Sequence, residues 1–439
     1  MRAKKVVVVG GGAAGLLAAG RAAQKGAAVT LLEKMERPGK KVLISGNTRC
    51  NLTNTLSLDS FVSMYGGNGK FLYPAFNHFF REELLALLGR YRVRTLVEPG
   101  GRVFPASGKA ADVVRTLQQY MQENGVNLVV GTRVDAIDII EGRTAAVITA
   151  GEVYPADAVV LATGGSSYSQ TGSNGDGCRM AAALGHTIVK LRPALVPLMV
   201  KERETAVALQ GISLQDVRLT SFACPSQEID ISRIPHHDCG RGIADRQPRT
   251  PLIESRSGGL IFTHYGVSGP AALLMSLAMA DALESGPVSL SIDLLPGAAQ
   301  KQLEAELQSA FDRHGSRFVQ NILEELVPGR VAPIILGNAG IHPEVKAARV
   351  SARQREALSL SLKDLRFNIQ RTRPLAEAMV TAGGVSLAEV DPRSLQSKLV
   401  KGLYFCGEVL DIDADTGGFN LQAAFSTGWL AGESAAMQG

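Results

Sequence analysis

The sequence predicts an α/β protein, and three observations support this prediction. A β-branched run at residues 6–9 leads into a glycine-rich turn at residues 10–15 and then into an Ala- and Leu-rich helix. Two later strand-like runs also end in glycine turns, at Gly164 and Gly407. Strands that alternate with helices favour a parallel sheet. Apolar residues make up 45% of the chain and charged residues 20%, which excludes wholesale disorder.

The first forty residues have the order strand, glycine turn, helix, strand and acid. Gly10 would make the tight turn, Gly12 would let the backbone approach a pyrophosphate, and Gly15 would let the helix and strand pack closely. The free N–H groups at the helix start would face that pyrophosphate. Glu33, which ends the second strand 18 residues after Gly15, can accept hydrogen bonds from a ribose 2′-OH. The turn could also be an ordinary βαβ turn, but all the parts together favour a dinucleotide site.

The rest of the chain favours FAD as that dinucleotide. An acid at Glu33 disfavours a 2′-phosphate, which leaves FAD or NAD rather than NADP. A central strand runs into residues 163–165, and a late strand runs into residues 407–408 and then to a glycine pair at 417–418. An Ala-rich helix follows from Leu421 to about residue 436. This is the order found in flavoproteins, and the absence of a second GxGxxG argues against a separate nicotinamide domain.

Three co-linear motifs resemble the YhiN/BaiN flavoprotein family, also called aminoacetone oxidase-like FAD proteins. They are RPGKKVLISGNTRCNLTN at residues 37–54, IFTHYGVSGP at 261–270 and GEVLDIDADTGGFNLQ at 407–422. The resemblance spans essentially the whole chain in the order of the family. The sequence departs from the family pattern at Asn47 and Thr48, where two glycines are usual, so the geometry of that loop is an open question.

The resemblance implies a fold of three bodies. These are a Rossmann-like FAD-binding domain (1–190 and 375–439), an inserted β-barrel-like domain (191–296 and 363–374) and a small helical subdomain (297–362). Alternation and length favour barrel strands at 195–200, 217–222 and 288–292. The segment 224–257 is longer than usual and carries balanced charge, so we expect a solvated surface loop or hairpin there.

The residues expected to contact FAD lie in these motifs or at the ends and starts of predicted strands. They are Gly10, Gly12, Ala14, Gly15, Glu33, Lys34, Lys41, Ser45, Gly46, Asn51, Val134, Thr163, Gly164, Gly407, Glu408, Asp411, Gly418, Asn420 and Leu421. The start of the last helix would face the pyrimidine edge of the flavin. Asn420 and Gln422 are expected to contact the ring there.

The catalytic candidates are Cys50, His264 and Arg49. FAD carries the hydride, and the protein supplies orientation and acid–base groups. Cys50 could donate a proton, because a thiol with a pKa of about 8.5 is mostly neutral at pH 7, or it could be a packing residue. His264 could be an acid or an orienting group on the substrate side, or a core histidine. Arg49 could stabilise negative charge on the reduced flavin or hold a substrate carbonyl, and NADH or NADPH is expected as a transient electron donor.

The resemblance leaves the substrate open among three classes. The family has been linked to reduction of a uridine in large-subunit rRNA to dihydrouridine, to reduction of steroid enones in bile-acid metabolism, and to oxidation of aminoketones. The first two share one chemistry, which is addition of a hydride to a C=C bond conjugated with a carbonyl. We therefore expect ene reduction, with a small-molecule flavin oxidase and a non-catalytic flavin-binding RNA factor as alternatives.

An uneven distribution of positive charge favours 23S rRNA as the partner. The segment from residue 346 to residue 373 contains eight basic residues and two acidic ones. The basic residues are Lys346, Arg349, Arg353, Arg355, Lys363, Arg366, Arg371 and Arg373. A second cluster at 34–49 has five basic residues against one acid. A solvated helix face would explain such runs, and a footprint for RNA phosphates would need both clusters on one face. Few aromatic residues stand near either cluster, which disfavours base stacking there.

The remaining patterns exclude several classes of protein. The five cysteines form no CxxC pair, so neither a disulfide framework nor a zinc site is expected. His236 and His237 are expected in an exposed loop rather than at a metal site. The longest apolar stretch, near 267–280, is interrupted by serines, a glycine and a proline, and the N-terminal apolar run is too short for a signal peptide. We therefore expect a cytoplasmic protein.

Overall fold

The computed structural model describes residues 2–243 and 248–437, and the chain divides into two compact units. Unit 1 comprises Met1–Ala194 and Leu375–Gly439, and unit 2 is Leu195–Pro374. Strands and helices are numbered in chain order over the described residues.

The first unit contains both the N-terminal and the C-terminal elements. Its strands are β1 (Lys5–Val9), β2 (Ala28–Glu33), β3 (Thr53–Asn54), β4 (Thr95–Glu98), β5 (Arg102–Pro105), β6 (Asn127–Val130), β7 (Val134–Ile140), β8 (Arg143–Thr149), β9 (Val153–Pro155), β10 (Ala158–Leu161), β11 (Ile188–Ala194), β18 (Val380–Val385) and β19 (Leu403–Phe405). Its helices are α1 (Ala13–Gln24), α2 (Lys40–Ile44), α3 (Leu58–Ser63), α4 (Tyr73–His78), α5 (Arg81–Arg90), α6 (Ala110–Glu123), α7 (Asp176–Ala183) and α14 (Phe419–Ala436).

A parallel sheet forms the centre of unit 1, with strands in the order β19-β10-β1-β2-β6. Val8 of β1 pairs with Val160 of β10 and with Leu31 of β2, and all three side chains are buried. One face of the sheet packs on helices α1, α6 and α14, and the other packs on strands β7 and β8 and helix α7. Because both faces are covered, β1 and β10 are continuous apolar runs. The predicted Rossmann arrangement of strand, glycine turn, helix and strand is confirmed.

Helices α1 and α14 run side by side in the same direction. A Cβ atom at Gly428 would overlap the carbonyl oxygen of Ala14, and one at Gly432 would overlap that of Ala18. Small residues on both helices therefore let the two backbones touch. Because Ala14 lies opposite Gly428, the first two turns of α14 extend past the start of α1, toward the carboxyl ends of the strands.

The second unit is built on a closed barrel with the strand order β12-β15-β14-β13-β16-β17. These strands are β12 (Leu198–Val200), β13 (Ser213–Phe222), β14 (Leu252–Thr263), β15 (Gly266–Ser268), β16 (Val288–Asp293) and β17 (Leu365–Thr372). The helices are α8 (Arg203–Leu209), α9 (Pro270–Leu283), α10 (Gln300–Arg313), α11 (Val319–Leu323), α12 (Ala332–Asn338) and α13 (Ala352–Lys363). The predicted barrel-like insert is confirmed.

The helices of unit 2 do not have a core of their own. Leu290 and Phe367 from the barrel belong to the same buried apolar cluster as Leu307, Leu336 and Leu358 from the helices. The helical segment predicted as a subdomain therefore packs as one layer on the barrel.

The segment 224–257, expected as a solvated loop or hairpin, is anchored on the barrel over its described part. Arg366 of β17 donates to the carbonyl oxygens of Ser226 at 2.6 Å and Ile229 at 3.2 Å. Cys239 is buried and exchanges backbone hydrogen bonds of 2.9 Å with Ser255. The described part connects the antiparallel strands β13 and β14, as a loop or hairpin would, and side chains of β17 bind its backbone. Residues 244–247 lie outside the described residues.

No helix among the described residues is long and apolar enough to cross a membrane.

Candidate functional site

The predicted site residues of unit 1 converge at one edge of the parallel sheet. Gly10 follows β1, Thr163 and Gly164 follow β10, Glu408 follows β19, and Glu33 ends β2. All four strands are parallel, so these are carboxyl ends on the same edge. In open α/β sheets this edge is where ligands bind.

The glycine turn after β1 contains two kinds of glycine. Gly10 and Gly15 are required by backbone conformation or packing, whereas Gly12 faces open space. A Cβ at Gly15 would overlap the carbonyl oxygen of Gly10, and Gly10 itself has a left-handed φ of 102°. A Cβ at Gly12 would meet no atom within 4 Å. Helix α1 begins after Gly12 with no side-chain cap and no acid in its first turn. Unbonded N–H groups beside an open backbone surface fit the pyrophosphate of a dinucleotide.

Glu33 holds this turn in shape. One carboxylate oxygen accepts the N–H of Gly11 at 2.6 Å, and the other accepts the N–H of Met35 at 2.7 Å. The side chain is buried at the end of β2. Each carboxylate oxygen has a second lone pair, so the predicted contact with a ribose hydroxyl is compatible with this role in the turn.

Lys41 and Glu408 form an ion pair that joins two of the sequence motifs. The Lys41 Nζ lies 2.6 Å from a carboxylate oxygen of Glu408 and 2.7 Å from the Ser167 Oγ. The other oxygen of Glu408 accepts the N–H of Thr381 at 2.8 Å and the hydroxyl of Ser167 at 3.1 Å. Sequence reasoning missed Ser167 and Thr381. The position of Ser167, just after the glycine pair Gly164–Gly165, is the one signal that could have indicated it.

The start of α14 packs against residues 51–53, which follow the 45–50 loop. Gly418 has a φ of 98°, and a Cβ there would overlap the carbonyl oxygen of Thr53. In the amide orientation that satisfies both of its atoms, Asn51 accepts the N–H of Gly418 at 3.0 Å and donates to the Thr53 carbonyl at 3.2 Å. The N–H of Gly407 donates to Thr427 Oγ1 at 2.9 Å, which ties β19 to α14 as well.

The two amides predicted to contact the flavin ring make protein contacts, but the buried Oε1 of Gln422 has no hydrogen-bond partner among the described residues. Asn420 accepts the N–H of Ala414 at 2.9 Å and donates to its carbonyl at 2.8 Å. Gln422 is fully buried and donates to the Ser426 hydroxyl at 3.0 Å. Asn420 therefore orders the loop before α14, and the burial of Gln422 disfavours the predicted contact with the ring. The neighbouring Leu421 is half-buried.

Asp411 lies in the same loop and is bound by a residue that the sequence did not indicate. Asn68 Nδ2 donates to its carbonyl oxygen at 2.8 Å and to its carboxylate at 3.1 Å. Burial raises the pKa of Asp411, and the nearby Asp413 raises it further, while the hydrogen bond from Asn68 opposes the shift.

The loop at residues 45–50 has an unusual backbone. Gly46, Asn47, Thr48 and Cys50 all have φ between 55° and 64°. Glycine adopts this region without cost, and asparagine tolerates it better than a β-branched residue does. Asn47 and Thr48 therefore keep the left-handed geometry at the two positions where the family usually has glycine. The hydroxyl of Ser45 donates to the Val42 carbonyl at 2.7 Å, which closes the loop onto α2.

Arg49 is fixed by two neighbours. Its guanidinium forms an ion pair with Glu98 and lies 4.3 Å from the ring centroid of Phe104. Arg102 also lies near Glu98, at 3.8 Å. Glu98 is a partner that sequence reasoning missed, because β4 and β5 bring it in from 49 residues away.

Cys50 is enclosed in the apolar core of unit 1. Its exposed fraction is 0%, and burial raises the pKa of its thiol to about 12, although a hydrogen bond with Ser45 opposes this. A buried thiol of this kind stays protonated at neutral pH and has no open path to a substrate. Of the two interpretations of Cys50, this burial favours packing, and the role of proton donor stays a prediction.

Val134 lines a groove in unit 1, and Lys34 pairs with a residue of the same groove. A cavity of about 400 Å³ is lined by Val134, Asp176, Arg179 and Met180 among others. The Lys34 Nζ lies 2.5 Å from an Asp176 carboxylate oxygen. Burial would raise the pKa of Asp176, but the hydrogen bonds and charges of Lys34 and Arg179 together outweigh it and lower the pKa.

His264 lies in unit 2, in the turn between β14 and β15. It is exposed, and its ring centroid is 4.8 Å from that of Tyr265. The interpretation of His264 as a core histidine is therefore wrong, because a tight turn places it at the surface. Its role as an acid or an orienting group stays a prediction.

The structure also reports on cysteines and metal ligands. All five cysteines, which lie in the described part of the chain, are free thiols. Among the described residues, no group of three or more side chains is arranged to hold a metal ion.

Comparisons with known proteins agree with this geometry. A family model described as "HI0933-like protein Rossmann domain" matches residues 4–434. The chain is 31% identical over 411 residues to the 3-dehydro-bile acid delta(4,6)-reductase of Clostridium scindens, with 93% of each chain covered. It is 28% identical over 411 residues to the ribosomal RNA dihydrouridine synthase of Escherichia coli, covering 93% of this chain and 92% of the relative.

A solved structure supports the fold alone. The 3-ketosteroid-delta4-(5alpha)-dehydrogenase of Rhodococcus jostii in complex with 4-androstene-3,17-dione matches with a TM-score of 0.51 and 15% identity. The match covers 99% of this chain and 97% of that chain.

Proposed function

The chain belongs to the HI0933-like family of FAD-dependent oxidoreductases, and on that premise we propose that it reduces a C=C bond conjugated with a carbonyl, in a uridine of large-subunit ribosomal RNA. The observation that carries the flavin part is the convergence of the glycine turn, Glu33, and the Lys41–Glu408 pair at one sheet edge. A uracil ring contains the required bond, since its C5=C6 is conjugated with the C4 carbonyl.

The residues that would hold FAD follow from the geometry. Gly12 and the start of α1 would take the pyrophosphate, and Glu33 a ribose. The groove at Val134 would take the adenine, and the Glu408 end of β19 and the start of α14 would face the flavin. When bound, FAD supplies the hydride chemistry, with NADH or NADPH as the transient donor.

The protein's own part of the reaction is orientation and proton supply. Glu98 and Phe104 hold the guanidinium of Arg49 in place. A guanidinium has five N–H donors, so Arg49 keeps donors for a substrate carbonyl or for negative charge that develops in the site. His264, exposed on its turn in unit 2, remains the candidate acid or orienting group.

Two findings support rRNA as the substrate. Two relatives that align over nearly their full length, one at 28% and one at 26% identity, are ribosomal RNA dihydrouridine synthases. The basic segment 346–373 contains four exposed cations, which suits a polyanionic partner. These cations are Lys346, Arg349, Arg353 and Arg371.

A steroid enone is the second candidate substrate. The Clostridium scindens reductase is 31% identical over 93% of its length, and its name describes reduction of a bile-acid dienone. The chemistry at the reacting bond is the same for both candidates, so the site geometry in unit 1 does not separate them.

The test is turnover by the purified FAD-loaded protein without oxygen. The substrates are a large-subunit rRNA transcript and a 3-keto-4-ene steroid, each with NADH or NADPH. We expect dihydrouridine in the transcript. Reduction of the steroid alone would replace rRNA with a small enone. If neither is reduced, a separate aerobic assay with an aminoketone that consumes oxygen would make the protein an oxidase. Binding of RNA with no NAD(P)H oxidation would indicate a non-catalytic RNA factor.

A further inference from the structure

Two segments of unit 2 that are distant in the sequence lie side by side. Phe318 pairs with Lys346 in an antiparallel bridge, and the N–H of Ala347 donates to the carbonyl of Arg317 at 3.0 Å. Residues directly opposite in antiparallel pairing point to the same side. Phe318 and Lys346 therefore share one side, while their neighbours Val319 and Ala347 are buried.

Phe318 and Lys346 are both exposed there, and two further exposed cations, Arg349 and Arg353, follow within seven residues of Lys346. Phe318 is 43% exposed. Lys346, Arg349 and Arg353 are exposed, and among the residues that the structure describes no carboxylate forms an ion pair with them. We call Phe318 together with these three cations the Phe318 surface.

Other basic residues of the same segment are used inside the fold. Lys363 forms an ion pair with Asp293 at 2.6 Å and donates to the carbonyl of Leu295 at 2.8 Å. Arg366 pairs with Asp364 at 2.6 Å and binds the segment that begins at residue 224. The charge that remains available to a partner is therefore concentrated at the N-terminal end of the basic segment.

Fold stability does not explain the Phe318 surface. Arg353 lies in the first turn of α13, which contains no acid, and a cation is unfavourable at that end of a helix. Phe318 leaves 43% of its surface exposed, and this part contributes nothing to the core. An exposed ring next to unpaired cations is what a single strand of nucleic acid requires, because bases stack on aromatic side chains and phosphates attract cations.

We propose that the Phe318 surface binds single-stranded RNA, with one unpaired base stacked on Phe318 and the phosphates on either side contacting Lys346, Arg349 and Arg353. This inference rests on RNA being the partner, as proposed above. Bases in a duplex are stacked on each other, so the ring selects an unpaired segment. The basic segment contains one aromatic residue, Phe367, which is buried in the core. The exposed ring comes instead from Phe318, 28 residues before Lys346.

The experiment is fluorescence anisotropy of a labelled 12-nucleotide single-stranded RNA with the FAD-loaded protein, without NAD(P)H, across a salt series. Phe318→Ala should weaken binding of the single strand by about tenfold, and it should leave binding of a duplex of the same sequence unchanged. Lys346→Ala or Arg349→Ala should lower the slope of log K against log salt by about one. Matched controls are Leu326→Ala, at an exposed apolar residue of the same unit, and Lys301→Ala, at an exposed cation.

Two results would overturn the proposal. One is wild-type affinity of Phe318→Ala for the single strand, with FAD content and melting temperature unchanged. The other is binding to vesicles of phosphatidylserine and phosphatidylcholine that falls in the same variants while RNA binding does not, which would make the surface a membrane contact. The binding assay needs no turnover. Loss of RNA binding in the variants would therefore support the Phe318 surface even if the transcript gains no dihydrouridine. The proposed RNA-binding surface and the proposed reaction can thus be rejected independently.

Discussion

The sheet edge of unit 1 and the Phe318 surface of unit 2 use their charged side chains in different ways. At the sheet edge of unit 1, Glu33 binds two backbone N–H groups, and Lys41 is paired with Glu408 at 2.6 Å. On the Phe318 surface of unit 2, Lys346 and Arg349 are exposed and form no ion pair with a described residue. Charged side chains that are paired with each other have a fixed geometry, which suits a ligand that binds in one pose. Unpaired surface charge suits a polyanion whose phosphates need no single pose.

The largest effects on FAD affinity are expected at Gly12 and Gly15, two glycines of the same turn that should differ in their effect on stability. Gly12→Val should leave the fold intact, because a Cβ there meets no atom within 4 Å, but should weaken FAD binding by about 3 kcal/mol, or about a hundredfold. Gly15→Ala should lose both FAD and stability, because its Cβ overlaps the Gly10 carbonyl. Flavin absorbance and thermal melting measure the two effects.

Gly89→Ala is the control for this pair, since Gly89 lies in α5 with open space around it and should gain stability slightly. If the Gly12→Val protein remains yellow after gel filtration, the pyrophosphate does not lie at this turn.

A second prediction concerns the paired charges of unit 1. Lys41→Met leaves the Glu408 carboxylate without its cation, so FAD affinity should fall by about tenfold, or about 1.4 kcal/mol. Adding Glu408→Gln should recover part of that loss, because the lone charge is removed as well. A double-mutant cycle on the dissociation constant of FAD measures the coupling. Additive effects would mean that the ion pair does not organise the site.

A third prediction concerns Cys50. Cys50→Ala should lower the free energy of unfolding by about 1–2 kcal/mol, because a buried sulfur is lost, and should leave kcat within about twofold. A thiol with a pKa of about 12 does not titrate below about pH 10, so the profile of kcat between pH 6 and 9 should not change either. Cys224→Ala, at a half-buried thiol, is the control. A hundredfold loss of kcat with FAD and stability retained would restore Cys50 as the proton donor.

The smallest expected effect tests the backbone of the 45–50 loop. Thr48→Gly should raise the free energy of unfolding by up to about 1 kcal/mol, because a β-branched residue at a φ of 64° is strained and glycine is not. Asn47→Gly should gain less, since asparagine tolerates this region. Urea unfolding of both variants measures the difference. A loss of stability in Thr48→Gly would show that the threonine side chain, rather than its backbone, is what the loop needs.

Local patterns in the sequence predicted the local parts of the fold. The run of valines, the glycine turn and the acid at Glu33 are adjacent in the chain, and the structure has them as β1, α1 and β2. Contacts between distant segments were not predictable in this way. Thr381 meets Glu408, and Phe318 meets Lys346, because strands and turns bring them together. The burial of Gln422 also depends on which face of α14 packs inward, and a nearly uniform apolar helix gives no signal for that.

The most direct test is the dihydrouridine content of large-subunit rRNA from a strain that lacks this gene. We predict that dihydrouridine is lost at one position, that the wild-type gene restores it, and that the Gly12→Val gene does not. Unchanged dihydrouridine in the deletion strain would contradict rRNA as the substrate. The flavin site of unit 1 would stand, and the search would move to small enones.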